Sequence, residues 1–233
     1  MDSEALPRFR HEYKYLINTA QARCIREKMA HLMKPDPYAP EGFYHITSLY
    51  FDTPHRACLQ ENQAGSDPRE KFRIRLYNHD PERILSLECK HRERTLTRKT
   101  ACPLTREQVE QLMAGRPLPE IAHQPRVLQK LTLLMLKEGM GPALLVDYDR
   151  IPFVYGPGNV RITLDLNVAA SRHISAFLEK DYPRRLILPA DTHLLEVKWD
   201  SFLPDVIYRS LQTEQPVRTS FSKYALCAQA LEV

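Results

Sequence analysis

A basic residue occupies every second position of Lys71-Phe72-Arg73-Ile74-Arg75-Leu76-Tyr77. Side chains alternate between the two faces of a β-strand, so this stretch predicts a strand with Lys71, Arg73 and Arg75 on one face. The apolar residues between them form the other face and suit a hydrophobic core. The fold must therefore place a row of cations opposite an apolar surface.

Other segments repeat this alternation. Residues 85–90, 160–165 and 194–199 each carry charged residues on one face and apolar residues on the other. Residues 146–150 indicate a further strand, and the turn at residues 156–158, Gly-Pro-Gly, predicts a β-hairpin between it and residues 160–165. The chain is therefore expected to contain several amphipathic strands.

The charged faces allow two interpretations. Arg73 and Arg75 could form an exposed strand face, and Glu196 with Lys198 could be a cross-strand ion pair. The recurrence of Arg and Lys on several strands favours instead a closed barrel with a polar interior. Cations crowded inside a barrel repel one another, so this interior predicts a ligand with many negative charges.

These residue types can bind phosphate without a glycine-rich loop. Arg offers bidentate geometry to phosphate oxygens and Lys offers a compact charge, while carboxylates on the same faces would hold Mg²⁺ or Mn²⁺. The chain has 7 glycines and neither GxxxxGK[ST] nor GxGxxG, so side chains must supply the phosphate contacts. HExxH, GxSxG and the kinase HRD and DFG motifs are also absent, which excludes the commonest hydrolase and kinase classes.

Four helices are predicted from capping residues and apolar spacing. Asn18-Thr19-Ala20-Gln21 resembles a capping box, opening a helix that ends before Pro35. Thr105 opens a second helix in the same way. A third runs over residues 124–138 to Gly139, and a fourth over residues 222–231. These helices are expected to pack against the strands.

Composition indicates a globular protein. The 233 residues are 43% hydrophobic and 27% charged, which favours one domain over residues 1–233 and excludes a wholly disordered chain. The net charge of +4 is too small for a generic nucleic-acid coat, and no DNA partner is expected. No stretch approaches the ~20 apolar residues of a membrane span, and Met1-Asp2-Ser3-Glu4 carries no secretory signal.

Cysteine and histidine add no site of their own to this interpretation. The 5 cysteines include no CxxC pair, which predicts neither disulfides nor a zinc site and fits a cytoplasmic location. The 9 histidines show no ligand spacing, and His11, His45 and His55 receive no role. Tyr50 and Trp199 are expected in the core rather than as base-stacking groups.

Eight short motifs follow one another in an order similar to that of a known family. They are EYKYL (12–16), SLYFDTP (48–54), KFRIR (71–75), LECK (87–90), YDR (148–150), VRITLD (160–165), LEVK (195–198) and FSKY (221–224). Together they resemble the VTC domain, the polyphosphate polymerase module of the CYTH-like triphosphate tunnel metalloenzymes, over about residues 8–230. The resemblance implies an α+β, mainly β fold, an eight-stranded antiparallel closed barrel with flanking helices.

The resemblance also implies site residues by position. The expected catalytic phosphate contacts are Arg73, Arg75, Arg150, Arg161 and Lys223; the expected substrate-binding residues are Lys14, Lys90, Lys198, Ser222 and either Arg98 or Lys99. Glu196 is the implied main ligand of a Mn²⁺ or Mg²⁺ cofactor, helped by Glu12, Glu88 or Asp165. The implied partners are ATP and inorganic polyphosphate or triphosphate, with a membrane-protein partner supplying regulation or export.

The implied reaction is a metal-dependent transfer of the γ-phosphoryl group of ATP to a growing polyphosphate chain. The triphosphatase branch of the wider superfamily carries Glu-x-Glu-x-Lys near its N-terminus, whereas this chain reads Arg10-His11-Glu12-Tyr13-Lys14. A cation at the first acidic position disfavours hydrolysis. Two alternatives stay open: a tunnel triphosphatase acting on triphosphate or nucleotides, and a non-catalytic module that binds polyphosphate or another polyanion.

Overall fold

The strands and helices come from a computed structural model that describes residues 9–83, 85–212 and 214–232. The strands are Arg10–Ile17 (β1), Lys34–Pro35 (β2), Tyr44–Asp52 (β3), Arg69–Tyr77 (β4), Leu85–Glu93 (β5), Leu96–Leu104 (β6), Gly141–Tyr155 (β7), Val160–Ser171 (β8), Arg185–Leu186 (β9), His193–Trp199 (β10) and Val217–Arg218 (β11). The helices are Thr19–Leu32 (α1), Ala57–Ala64 (α2), Arg106–Met113 (α3), Arg126–Glu138 (α4), Asp205–Gln212 (α5) and Lys223–Leu231 (α6).

Eight of these strands close into a barrel. Their order is β7-β3-β4-β5-β6-β1-β10-β8, and β8 pairs again with β7. Every pairing in this circuit is antiparallel. The eight-stranded antiparallel barrel with flanking helices, predicted from the sequence, is confirmed. The junction between β6 and β1 is short, since only Arg10 and His11 pair with Thr97 and Leu96.

The hydrophobic core lies outside the barrel wall. On β4, Phe72, Ile74 and Leu76 are buried in a cluster that includes side chains of α2, α3, α4 and α6. A second cluster packs α1 and α5 against the opposite part of the wall, around Ile162 and Val197. The alternation predicted from the sequence therefore directs apolar side chains outward to the helices and leaves the cationic face for the interior.

The four predicted helices are confirmed as α1, α3, α4 and α6. Capping boxes form at Asn18 and Thr105, and the Ser222 hydroxyl accepts a hydrogen bond from the Ala225 amide at 3.3 Å. The third begins two residues later than predicted and ends at Gly139, which has φ of 67°. No helix among the described residues has the length and apolar character needed to cross a membrane.

Helices α2 and α5 were not predicted, because the residues that precede them, Arg56 and Pro204, are not among the preferred N-cap residues. At the start of α2, Arg56 has φ of 58° and makes no side-chain capping bond to any described residue. Instead the buried Asp52 carboxylate, at the end of β3, accepts from the amides of Cys58 at 2.8 Å and Leu59 at 3.2 Å. The same carboxylate accepts from the Tyr224 hydroxyl of α6. Asp52 therefore caps one helix and ties a second to the wall.

The predicted hairpin joins β7 to β8 through a turn that needs glycine. Gly158 has φ of 73°, and a Cβ atom there would lie 2.3 Å from the carbonyl oxygen of Phe202. An L-residue would meet both backbone strain and a steric clash. Residues 1–8, which include the Met1–Glu4 segment, and Val233 lie outside the described residues. That residues 1–233 form a single domain stays a prediction.

Replacing Asp52 with alanine should destabilise the fold. It would leave several buried donors without their acceptor, at a cost of roughly 3 kcal/mol in the free energy of unfolding. Urea denaturation measures this change. Asp52→Asn is the matched variant: it keeps one acceptor oxygen and should lose less stability. Equal stability of Asp52→Ala and the parent chain would contradict this role for Asp52.

Candidate functional site

The barrel encloses a cavity of about 430 Å³ with a cationic wall. Over the described residues, fourteen lysines and arginines line it, against two acids, Glu12 and Glu196. The cations are Arg10, Lys14, Arg69, Lys71, Arg73, Arg75, Lys90, Arg92, Arg98, Lys99, Arg150, Arg161, Lys198 and Lys223. Such a wall repels itself unless buried acids or a bound anion neutralise it.

Twelve of the fourteen predicted site residues line this cavity: Glu12, Lys14, Arg73, Arg75, Lys90, Lys99, Arg150, Arg161, Glu196, Lys198, Ser222 and Lys223. Arg98 and Lys99, between which the sequence left the choice open, both line it. The other two, Glu88 and Asp165, lie behind the lining and bind cations that face the cavity. The structure thus divides the predicted metal-binding acids into two that face the cavity and two that support its wall. The catalytic and binding roles themselves stay predictions.

Glu88 supports two arginines and a lysine. Its carboxylate accepts from Arg73 Nε at 2.9 Å and from Lys99 Nζ at 2.8 Å, and Arg75 Nη1 lies 3.6 Å away. Burial by itself raises the pKa of Glu88, but Arg75 and Arg73 outweigh it and hold that pKa well below the ordinary value. Glu88 is therefore a fixed counter-ion that orients the β4 arginines toward the cavity.

Asp165 has the same function on the other side of the barrel. It is fully buried and accepts two hydrogen bonds from Arg150, from Nε at 2.6 Å and from Nη2 at 2.7 Å. Lys223 Nζ lies 2.5 Å from Oδ2 of the same carboxylate. This bidentate pair fixes the plane of the Arg150 guanidinium. Asp165 also helps to raise the pKa of Lys223 above the ordinary lysine value against the effect of burial.

Arg161 is held by a third acid. Its Nη2 donates to Asp36 Oδ2 at 2.5 Å and to the Tyr44 hydroxyl at 2.8 Å. Asp36 lies just after β2 and is 3% exposed. Asp36 could not be identified from the sequence, because it precedes Arg161 by 125 residues and only the folded chain brings the two together.

Glu196 faces the cavity from β10 amid three cations. Its carboxylate accepts from Lys198 at 2.7 Å and from Lys223 at 3.0 Å, with Arg150 Nη2 at 3.6 Å. Burial raises the pKa of Glu196, but Lys198 and Lys223 more than compensate and hold it well below its ordinary value. Glu196 is therefore ionised across the physiological pH range.

Glu12 is the second acid in the cavity. It accepts from Lys90 at 2.7 Å and lies 3.3 Å from Lys14 Nζ. Burial raises its pKa, yet Lys90 and Lys14 leave that pKa well below the ordinary value. In the β1–β10 register Glu12 pairs with Lys198 and Lys14 with Glu196, so the two carboxylates are diagonal neighbours. Two ionised carboxylates that face the cavity fit the ligand preference of Mg²⁺ and Mn²⁺.

Lys71 was not among the predicted site residues, although the period of two placed it beside Arg73. Its ammonium donates to two neutral acceptors, Asn62 Oδ1 and Ser222 Oγ, both at 2.8 Å. Burial, reinforced by the nearby cations Lys14 and Arg69, lowers the pKa of Lys71 to about 7. Burial likewise lowers the pKa of Lys90 to about 7.

The aromatic residues divide between core and cavity. Trp199 is buried in the outer core, as predicted. Tyr50 is buried too, but its hydroxyl accepts from Arg73 Nη1 at 2.9 Å and its ring lines the cavity. Tyr148 lies under Arg150, 5.1 Å from its guanidinium carbon, and under Lys223, 4.8 Å from its ammonium nitrogen. Tyrosine rings therefore pack against several of the cations that face the cavity.

Comparison with known proteins identifies a family and similar folds. The model of the VTC domain family matches residues 9–232. None of the curated protein sequences matches significantly. A candidate adenylate cyclase from Bacillus halodurans is similar in structure with a TM-score of 0.55 at 14% identity, over 92% of this chain and 94% of its own.

A candidate adenylyl cyclase from Hippeastrum, HpAC1, described as having a dominant triphosphatase activity, gives a TM-score of 0.54 at 11% identity over 95% of each chain. At such identities these likenesses establish the fold alone.

Binding of triphosphate should be coupled to proton uptake at Lys71. At pH 8 a lysine with a pKa of about 7 is mostly neutral, and a bound polyanion favours its ammonium form. Binding should therefore take up protons and tighten as the pH falls from 8 towards 7. Calorimetry in two buffers of different ionisation enthalpy measures the uptake.

Lys71→Met should reduce this uptake by up to about one proton per bound triphosphate. Lys137→Met, at an exposed position near the end of α4, is the matched control and should leave the uptake unchanged. Identical uptake in Lys71→Met and the parent chain would show that Lys71 does not titrate on binding.

Proposed function

The chain belongs to the VTC domain family, and on that basis we propose that it is a polyphosphate polymerase. In the proposed reaction the terminal oxygen of a phosphate chain attacks the γ-phosphorus of ATP, and the bond to the β-phosphate oxygen breaks to release ADP. The single observation that carries the proposal is the charge of the cavity wall, fourteen cations facing two carboxylates in the described chain. ATP as the donor places the proposed reaction in the cytoplasm.

A chain of phosphates matches this wall better than a compact anion does. Each unit of polyphosphate carries a negative charge, and cations project from every side of the barrel interior. Arg73 and Arg75 extend from β4, Arg150 from β7 and Lys198 from β10. A linear polyanion running through the barrel contacts all of them in turn, whereas one small anion leaves most of them unneutralised.

The arginines are oriented before substrate arrives. Arg73, Arg150 and Arg161 are each fixed by a buried acid that does not itself line the cavity, respectively Glu88, Asp165 and Asp36. Phosphoryl transfer passes through a loose transition state and depends on positioning and charge stabilisation rather than on a protein nucleophile. Guanidinium groups already held in place need little reorganisation as charge moves to the leaving oxygen.

The lysines neutralise charge along the path. Lys14, Lys90, Lys198 and Lys223 are the residues proposed to contact the phosphate chain, with Lys99 at the exposed side of the wall and Ser222 donating its hydroxyl. Glu196, with Glu12 beside it, would hold Mn²⁺ or Mg²⁺. Such an ion supplies charge neutralisation at the reacting phosphate oxygens. Glu88 and Asp165 are assigned to arginine positioning in this proposal.

Hydrolysis is the second candidate. HpAC1 shares the fold and is described as having a dominant triphosphatase activity, so the tunnel architecture is compatible with water as the acceptor. Against it stands Arg10, which lines the cavity where the triphosphatase branch carries an acid, and whose Nε lies 2.6 Å from Asp200. With a cation at that position, the wall carries fewer carboxylates for a metal that activates water.

The experiment follows three products from ATP in the presence of Mn²⁺. Polyphosphate and ADP accumulating with little free phosphate support the polymerase. Free phosphate without polyphosphate supports the triphosphatase. Tight triphosphate binding without turnover supports a binding module and overturns both enzymatic proposals.

Glu196→Gln should separate metal binding from anion binding. Removing a negative charge from a cationic wall should tighten metal-free triphosphate binding several-fold, while turnover falls by about 100-fold or more because a metal ligand is lost. A triphosphate titration without Mn²⁺ gives the affinity, and an assay with Mn²⁺ gives the turnover. Weaker triphosphate binding in this variant would contradict the assigned role.

Asp165→Asn is the comparison for that experiment. Because Asp165 positions Arg150 and does not line the cavity, this variant should lower turnover without moving the Mn²⁺ concentration that gives half-maximal activity. It should also lose about 3 to 5 kcal/mol of stability, since Arg150 and Lys223 lose a buried counter-ion. A shifted Mn²⁺ dependence would return Asp165 to the metal-binding set.

A further inference from the structure

A second cluster of ligand-type side chains lies on the outer face of the barrel. His45 is on β3, His79 is in the turn that follows β4, and Asp147 is on β7. One ligand atom from each lies within 4.8 Å of the others. Tyr44 and Tyr148, the neighbours of His45 and Asp147, line the cavity, so the alternation of the strands directs this cluster away from it.

The distances suit a small metal ion. His45 Nε2 is 3.2 Å from Asp147 Oδ1, and two ligands bonded tetrahedrally to Zn²⁺ at about 2.0 Å lie roughly 3.3 Å apart. The His45 and His79 rings stack with centroids 4.1 Å apart. His79 Nδ1 is buried and has no hydrogen-bond partner within the described ranges. A buried ring nitrogen without a partner requires an explanation, and a metal ion supplies one.

Hydrogen bonds from neighbouring residues orient His45 and Asp147, as hydrogen bonds orient the ligands in metal sites. Asp149 Oδ1 lies 2.9 Å from His45 Nδ1, and Asn167 donates to Asp149 Oδ2 at 2.8 Å. With the Nδ1 proton of His45 shared with Asp149, a metal bound at Nε2 would replace the hydrogen bond between Nε2 and Asp147 Oδ1. Thr47 and Tyr182 each donate to Asp147 Oδ1 at 2.7 Å.

The turn that carries His79 is fixed next to His45. Asn78 and His79 have positive φ, 55° and 50°. The Asn78 amide donates to the His45 carbonyl at 3.0 Å, and the His45 amide donates to Asn78 Oδ1 at 2.9 Å. Asn78 and His79 are the central residues of a turn closed by the Asp80 amide, which donates to the Tyr77 carbonyl at 3.1 Å, and positive φ at both central positions is typical of a type I′ turn.

From these contacts we propose that His45, His79 and Asp147 bind a divalent metal ion of the zinc class, at a site separate from the phosphate tunnel. Two imidazoles and a carboxylate are the ligands that Zn²⁺ takes in proteins, whereas the tunnel offers only carboxylates, which suit Mg²⁺ and Mn²⁺. The bound ion joins β3, β7 and the turn after β4. It therefore stabilises the wall behind Tyr148. This inference does not depend on the proposed polymerase activity.

Zinc binding to the untagged, chelator-treated protein tests the proposal, with a chromogenic chelator as competitor. We expect one tight Zn²⁺ per chain and a melting temperature that rises with Zn²⁺. His79→Asn removes a strong ligand, and asparagine tolerates positive φ, so this variant should fold and bind Zn²⁺ about 100-fold or more weakly. His31→Asn, at an exposed helical position, is the control and should bind as the parent does.

Two further variants complete the test. Asp149→Asn keeps the three ligands and one acceptor oxygen for His45 Nδ1, but it removes the carboxylate charge that makes the imidazole a stronger ligand, so it should weaken Zn²⁺ binding by about 10- to 100-fold. Glu196→Gln, in the tunnel, should leave Zn²⁺ binding unchanged. Absence of Zn²⁺ binding by the parent, or unchanged affinity in both His79→Asn and Asp149→Asn, would overturn the proposal and leave a purely hydrogen-bonded cluster.

Discussion

The repulsion among cations inside a closed barrel is the constraint on which the rest of the structure depends. Fourteen basic side chains share a cavity of about 430 Å³ with two acids, as far as the described residues go. The chain offsets part of this repulsion with acids buried among the inward cations, such as Glu88 and Asp165. Because the interior is reserved for charge, the hydrophobic core must lie outside, and the flanking helices are needed to cover it. The apolar core therefore lies outside the barrel wall, and the charged side chains lie inside it.

The cations of the cavity are of two kinds, which differ in whether a buried acid fixes their charge. Arg150 and Lys223 are tied to Asp165 and stay charged, and the pKa of each lies above its ordinary value although burial opposes it. Lys71 and Lys90 have pKa values lowered to about 7 by burial and by neighbouring cations. The first kind has a fixed charge and a fixed orientation in the cavity wall. The second adjusts its charge to the ligand, so the empty tunnel carries less repulsion than the sequence suggests.

The two faces of the wall present different donors to metal ions. Facing inward, Glu12 and Glu196 offer oxygen atoms among the cations of the cavity. Facing outward, His45, His79 and Asp147 offer nitrogen and oxygen within 4.8 Å of one another. Neighbouring residues of one strand reach both faces, since Asp147 and Tyr148 point in opposite directions. One wall therefore separates two different sets of ligand atoms by a single residue.

The sequence determined which side chains share a strand face, where the capped helices begin and which family the chain resembles. A period of two is local, so Arg73, Arg75 and Glu196 could be placed toward a common interior without knowledge of the pairing. Tertiary structure decided what each charge contacts. Glu12 and Glu196 face the cavity while Glu88 and Asp165 support its wall, because strand register and side-chain packing select the partner of each acid. Asp52 could cap α2, and His79 could reach His45, only once distant strands had paired. Periodicity specifies the direction of a side chain, but contacts between residues far apart in the chain exist only in the folded molecule.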